Sequence, residues 1–135
     1  MTTATRRPSF APVERDTMQA FLAKRDVERY LTTNWQFHFT LYVAADRPVM
    51  LRMIESLWLQ IGPSLRGCID DIANRPEIDH QITADHHADM LAALDRRDAE
   101  GVRAAVEDDL RGLTDYLLQS LPETPSTIHP LRTPT

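Results

Sequence analysis

Apolar residues recur along most of the chain at intervals of three and four, which is the spacing of one face of an α-helix. No segment shows the alternation of apolar and polar residues that is typical of a half-buried strand. The sequence therefore predicts an all-α fold, an antiparallel bundle of about five helices. The predicted helices cover residues 13–23, 26–45, 48 to about 65, 80–94 and 98–121.

The predicted ends of these helices depend on residues that cap or interrupt a helix. Asp26 and Asp98 suit the N-cap positions of the second and fifth helices, because a carboxylate accepts hydrogen bonds from free backbone N–H groups. Pro48 suits the first turn of the third helix. The pair Gly62–Pro63 is expected to kink or end that helix, which leaves residues 67–79 as a connection.

The helical pattern spans residues 13–121 and predicts one small domain. Residues 1–12 are polar and residues 122–135 are rich in proline and threonine, so both segments are predicted to be disordered. No apolar run has the length of a membrane span, and the first residues lack the apolar core of a secretory signal. We therefore expect a cytoplasmic protein without membrane contact.

The charge and the cysteine count narrow the classes of function. The chain has 15 basic and 20 acidic residues, a net charge of −5. Proteins that bind a nucleic-acid backbone usually offer a basic stripe, which this sequence lacks, so direct DNA binding by this chain alone is not expected. The single cysteine, Cys68, permits no intrachain disulfide and is expected to be a small buried residue.

Polar residues interrupt the apolar stripes of three predicted helices. Asn34 and His38 lie one turn apart on the inward face of the second helix. His87 belongs to the apolar stripe of the fourth helix, and Asp109 to that of the fifth. The neighbouring His86 points about 100° away from His87 and is expected at the rim.

These four side chains direct nitrogen and oxygen donors from three helices toward one interior. Such donors bind divalent metals such as Zn, Ni or Mn, and helical bundles build metal sites from facing helices. A cation would also offset the cost of burying the carboxylate of Asp109. Simpler explanations stay open: an inward histidine is more often a hydrogen-bonded core residue, Asp109 can pair with an arginine, and Asn34 can bond a backbone carbonyl.

Two blocks of the chain, residues 34–66 and 85–110, carry a resemblance to a known family. They read NWQFHFTLYVAADRPVMLRMIESLWLQIGPSLR and DHHADMLAALDRRDAEGVRAAVEDDL. In their order and spacing they resemble the FCD domain, the C-terminal effector-binding and oligomerisation domain of GntR-type bacterial transcription regulators in the FadR subfamily. The resemblance covers roughly residues 14–120 and implies an antiparallel helical bundle around a polar pocket.

Many members of that family hold a metal in the pocket with one Asp and three His. Carried over to this chain, Asn34 stands where the pattern often has Asp, and Asp109 stands where it often has His. Together with His38 and His87, one carboxylate and two imidazoles remain, and we expect a divalent metal, Zn or Ni. The candidate residues of the adjoining effector pocket are Tyr30, Trp58, Arg66 and His86.

The resemblance implies a ligand sensor and not an enzyme. The expected partners are a small organic acid and a second copy of the chain in a homodimer. Relatives bind DNA through a winged helix-turn-helix that has no counterpart before residue 13, so we expect DNA binding only through a domain absent from this chain. We expect a fragment, a truncated reading frame or a stand-alone sensor, in which helices missing from the bundle expose apolar surface and favour dimerisation.

Two other classes of function fit the same residues. In a small helical metal-dependent hydrolase, an open metal position would activate water, with His86 or Asp85 as the candidate general base. In a purely structural dimerisation module, the inward polar residues would satisfy one another.

Overall fold

The structure, a computed structural model, describes residues 15–75 and 82–120, which form five α-helices. They are α1 (Arg15–Ala23), α2 (Val27–Ala44), α3 (Pro48–Asn74), α4 (Ile82–Asp95) and α5 (Ala99–Ser120). The described residues contain no strand, so the predicted all-α bundle of about five helices is confirmed. The segments predicted to be disordered, residues 1–12 and 122–135, lie outside the described residues.

The junction between α1 and α2 takes three residues. Arg25 adopts a left-handed backbone with φ of 57°, and its N–H bonds to the carbonyl of Leu22 at 2.9 Å. The N–H of Asp26 bonds to the carbonyl of Phe21 at 2.8 Å, which completes a Schellman motif. The side chain of Asp26 then accepts a hydrogen bond from the backbone N–H of Arg29 at 3.2 Å, so the predicted N-cap is confirmed.

The junction between α4 and α5 repeats this arrangement. Arg97 has φ of 56° and bonds to the carbonyl of Leu94, while the N–H of Asp98 bonds to the carbonyl of Ala93 at 2.9 Å. The carboxylate of Asp98 accepts a hydrogen bond from the backbone N–H of Gly101 at 2.9 Å, which confirms the second predicted N-cap. Both junctions therefore fold α1 onto α2 and α4 onto α5 as helical hairpins.

The third helix is longer than predicted. It continues through Pro63 to Asn74, so of the two expectations for Gly62–Pro63, a kink or an end, the end is wrong. The predicted connection is also wrong for residues 67–74, which are helical. The loss of one backbone hydrogen bond at proline is outweighed by burial of the next three turns. The buried side chains of these turns are Leu65, Cys68, Ile69, Ile72 and Ala73. The rest of the predicted connection, residues 76–79, lies outside the described residues.

The buried residues form two hydrophobic clusters, and α2 contributes to both. The larger cluster joins α1, the start of α2 and the second half of α3, and includes Met18, Leu22, Tyr30 and Ile69. The smaller cluster joins the middle of α2 to α4 and α5 through Phe37, Met90 and Ala105. The inward histidines lie beside this smaller cluster. None of the described helices is both long enough and apolar enough to span a membrane.

Candidate metal centre

Three polar side chains from three helices meet next to the smaller cluster. His38 of α2 is 1% exposed and His87 of α4 is 3% exposed, while the side chain of Asp109 on α5 is 17% exposed. The Nε2 atoms of the two histidines are 3.1 Å apart, and Nε2 of His38 lies 3.3 Å from Oδ2 of Asp109. One donor atom from each residue lies within 4.8 Å of the other two. These are three of the four ligands that the sequence predicts.

The hydrogen bonds available inside this trio leave a donor or acceptor unmatched. Nδ1 of His38 faces the hydroxyl of Tyr42 at 3.4 Å, whereas the buried Nδ1 of His87 has no partner among the described residues. If Nε2 of His38 carries the proton that points to Asp109, then Nε2 of His87 can only accept a hydrogen bond from it. The proton of His87 then lies on Nδ1, where it has no hydrogen-bond partner among the described residues. A buried polar atom without a partner is costly, so the trio is not explained as a closed hydrogen-bond network.

The separations and chemistry of the trio fit a divalent metal. Ligand atoms about 2.0–2.1 Å from one cation lie roughly 2.8–3.4 Å from each other, from octahedral to tetrahedral geometry, and the separations of 3.1 and 3.3 Å within the trio fall in that range. Burial and the neighbouring His38 and His86 lower the pKa of His87 to about 4, although Asp109 opposes this shift. His87 is therefore neutral at pH 7, the form in which an imidazole nitrogen binds a metal.

Aromatic rings hold the two imidazoles in place. The ring of Phe37 lies against that of His87, with centroids 4.4 Å apart and planes inclined by 31°. The indole of Trp58 lies 5.6 Å from the ring of His38. Because these neighbours restrict the ring rotamers, the donor atoms are oriented before any ligand binds.

A cavity of about 720 Å³ opens beside the trio, between α2, α3 and α5. Asn34, His38 and Asp109 lie on its wall, together with Tyr42. Burial, and then the charge of Asp109, raise the pKa of Tyr42 to about 12, so its phenol is protonated at neutral pH. The apolar part of the lining is Ile54, Leu57, Trp58, Ile61, Leu65, Val106, Leu110 and Leu113, and the remaining polar residues are Gln60 and Ser64.

One of the four residues predicted for the effector pocket lies at the cavity, and three do not. Trp58 lines the cavity, but Tyr30, Arg66 and His86 are not among the described residues that do so. Tyr30 is buried in the larger cluster, Arg66 pairs with Glu28 at 2.7 Å, and His86 is half-buried on α4, as its rim position predicts. Tyr30, Arg66 and His86 therefore lie outside the described cavity lining, contrary to the pocket expected from the sequence.

Sequence reasoning missed three polar residues of the cavity. Tyr42 had a usable signal, since it lies four residues after His38 and eight after Asn34 on the same face of α2. Gln60 and Ser64 had none, because their role depends on where α3 lies relative to α5.

The described lining holds few ionisable side chains. Once His38 and Asp109 are counted as metal ligands, its other polar side chains are two amides, one hydroxyl and a phenol. None of these is a strong base at neutral pH, and a general base must be within reach of the water that it activates. The described lining also contains no lysine or arginine.

Comparison with known proteins identifies a matching family and a similar curated protein. The family model for the FCD domain matches residues 14–112. The HTH-type transcriptional regulator McbR of Escherichia coli (strain K12) is 34% identical over 86 residues. The matched stretch covers 64% of this chain and 38% of that regulator. No solved structure matches the chain.

Proposed function

The chain belongs to the FCD domain family, and from this premise we propose that it senses a small organic acid as the effector-binding domain of a GntR-type transcription regulator. The observation that carries the proposal is a cluster of two histidines and a carboxylate beside a cavity, with His38 and Asp109 of that cluster on the cavity wall. The similarity to a protein named as an HTH-type transcriptional regulator supports the same role. DNA would be bound by a separate winged helix-turn-helix.

A divalent metal, Zn or Ni, would be held by His38, His87 and Asp109. Asn34, one turn before His38 on the same wall, is the candidate fourth ligand. When bound, the metal supplies a Lewis-acid position that a carboxylate oxygen can fill. Two nitrogen donors and one carboxylate suit both Zn and Ni.

The charge of the cavity makes acid binding depend on that metal. Asp109 is the only ionised side chain that we find in the described lining, and no cationic side chain faces it there. A carboxylate ligand would therefore meet a like charge in a partly apolar cavity, which disfavours binding. A bound cation reverses the sign of the local charge. The protonated Tyr42 is placed to donate a hydrogen bond at the same wall.

The first test is metal content by mass spectrometry on untagged protein purified without chelators. We expect near-stoichiometric metal in the wild type and loss of it in His87→Gln. His86→Gln is the matched control, because it removes the adjacent imidazole, which is not part of the trio. Wild-type protein without metal, or equal metal in both variants, would contradict the metal site.

The second test is calorimetry with a panel of small mono- and dicarboxylic acids, with and without chelator. We expect at least one acid to bind, and its affinity to fall by more than about tenfold after chelation. Acid binding that is indifferent to chelation would contradict the proposed charge reversal. No binding by any acid would favour a structural module in which His38 and Asp109 merely pair.

A further inference from the structure

The cavity beside the trio is polar on one side and largely apolar on the other. The second helix contributes three residues to the described lining, Asn34, His38 and Tyr42, and all three are polar. All eight apolar side chains of that lining come from α3 and α5. A ligand that fills the cavity therefore meets hydrogen-bonding groups along α2 and mainly hydrocarbon along the two other helices.

The apolar side of the cavity begins next to the trio. Val106 and Leu113 lie three residues before and four residues after Asp109, on the same face of α5. On α3, the indole of Trp58 lies 5.6 Å from the ring of His38. A ligand whose carboxylate lies at the trio therefore extends into apolar surroundings within one helical turn.

The cavity is much larger than a carboxylate group. Its volume of about 720 Å³ lies within the range of roughly 300–1,000 Å³ that is typical of pockets for drug-sized ligands. Its apolar residues on α3 run from Ile54 to Leu65, about 17 Å along the helix. An acid of two or three carbons would leave most of this apolar surface in water, whereas a hydrocarbon tail would cover it.

We propose that the effector is an amphipathic monocarboxylic acid, with its carboxylate at the trio and a hydrocarbon tail between α3 and α5. The inference rests on the proposed function, because it names the class of acid that the same site selects. The trio recognises the charged end of the effector, and the apolar side chains of α3 and α5 set the length of tail that binds.

The same lining disfavours acids that carry several polar groups. Its described part contains no lysine or arginine, so a second carboxylate inside the cavity would have no cationic side chain to pair with. The polar side chains that α3 contributes are Gln60 and Ser64, and both are exposed. A short dicarboxylate or a polyhydroxy acid would therefore bury charged or hydroxyl groups against hydrocarbon, which is costly without hydrogen bonds.

The test is calorimetry of zinc-loaded protein with a series of straight-chain acids, namely acetate, butanoate, hexanoate and octanoate. We expect one acid to bind per chain and its affinity to rise by about twofold or more for each added methylene group, since a fully buried one contributes about fourfold. Hexanedioate, which has the chain length of hexanoate and a second carboxylate, should bind at least about tenfold more weakly than hexanoate. Octanol, which lacks the carboxylate, should also bind more weakly than octanoate.

A double variant tests whether the tail lies between α3 and α5. Leu57→Gln/Leu110→Gln places an amide on each helix at exposed positions that line the cavity. Leu59→Gln/Leu118→Gln is the matched control, because it makes the same changes on the same helices at exposed positions outside the described lining. The ratio of octanoate affinity to butanoate affinity should fall by about tenfold or more in the first variant and stay at the wild-type value in the control. Circular dichroism checks that both variants fold.

The possible results separate this inference from the proposed function. Acids that bind in a chelator-sensitive way, but with affinity independent of chain length, would overturn the inference and leave the acid-sensing function standing. Hexanedioate as tight as hexanoate, or a wild-type affinity ratio in Leu57→Gln/Leu110→Gln, would also overturn the inference alone. Octanol as tight as octanoate, with binding indifferent to chelator, would contradict acid sensing and the inference together, as would the absence of binding by every acid.

Discussion

His87 combines deep burial with a ring nitrogen, Nδ1, that has no hydrogen-bond partner among the described residues. Its other nitrogen faces His38, which in turn faces Asp109. In the proposed metal site each residue of the trio would have a different role: His87 would supply a neutral donor atom, Asp109 would supply negative charge, and His38 lies between them. A change at any one of them therefore has a distinct and measurable result.

The pKa of His87 predicts acid lability of the metal-free protein. The folded pKa is about 4 and the unfolded value is 6.5, so between these values the unfolded chain holds a proton that the folded chain does not. His87 therefore does not reduce the free energy of unfolding above pH 6.5. As the pH drops from 6.5 to 4, protonation of the unfolded chain lowers the free energy of unfolding by about 3 kcal/mol. Asp109 opposes this loss, while His38 and His86 increase it. Urea denaturation of chelated protein across this range measures the slope, which should flatten in His87→Gln.

The charge of Asp109 predicts that Asp109→Asn loses metal affinity. Replacing the carboxylate by an amide removes the anionic ligand, and metal affinity should fall by more than about tenfold in a chelator competition assay. Asp108→Asn makes the same change one residue earlier, where the side chain is exposed, and should bind metal like the wild type. Equal affinity of the two variants would remove Asp109 from the site.

At this scale the sequence identifies the trio but not the rest of the cavity wall. His38, His87 and Asp109 are identifiable because each occupies an apolar stripe, and a polar residue there is costly without a partner. Tyr30 lies on the same face of α2 as His38, yet eight residues earlier, about 12 Å along the helix and inside the other cluster. Periodicity predicts which face of a helix points inward, but it does not predict which neighbouring helix packs against that face.

At the scale of elements, the two helical hairpins are held by the same local device. Each ends one helix with a left-handed arginine and starts the next with an aspartate cap, as in Arg25–Asp26 and Arg97–Asp98. The caps were predictable because they depend on neighbouring residues only. The length of α3 was not, because Pro63 gives a strong local signal whereas the burial of Cys68 and Ile72 depends on the larger cluster.

The second junction predicts opposite effects for two glycines of α5. A Cβ atom on Gly101 would lie 2.4 Å from Oδ2 of Asp98, so Gly101→Ala should displace the cap and destabilise the protein by about 1 kcal/mol. A Cβ atom on Gly112 meets nothing within 4 Å, so Gly112→Ala should stabilise the protein by up to about 1 kcal/mol. Thermal unfolding of both variants measures the difference, and two changes of the same sign would contradict this description of the cap.

At the scale of the whole molecule, the trio joins α2, α4 and α5, whereas α3 contributes only apolar and neutral polar side chains to the cavity. A metal would therefore tie three helices together and leave α3 held by its own packing. That packing is concentrated in the second half of α3, where Leu65 and Ile69 enter the larger cluster. The all-α class and the number of helices were predictable from periodicity, since both depend on patterns within each segment.

We expect Pro63 to divide α3 into two parts with unequal protection against hydrogen exchange. Proline has no N–H, so the carbonyl of Leu59 lacks its usual partner at the border between the exposed and the buried half. Amides of residues 49–61 should exchange with deuterium faster than those of residues 65–74, because local opening is cheap where few apolar contacts break. Mass spectrometry of deuterated peptides measures both halves, and equal protection would contradict the division. An effector that slows exchange only before Pro63 would show that the chain reports its ligand as a local change in rigidity rather than as a movement of the whole bundle.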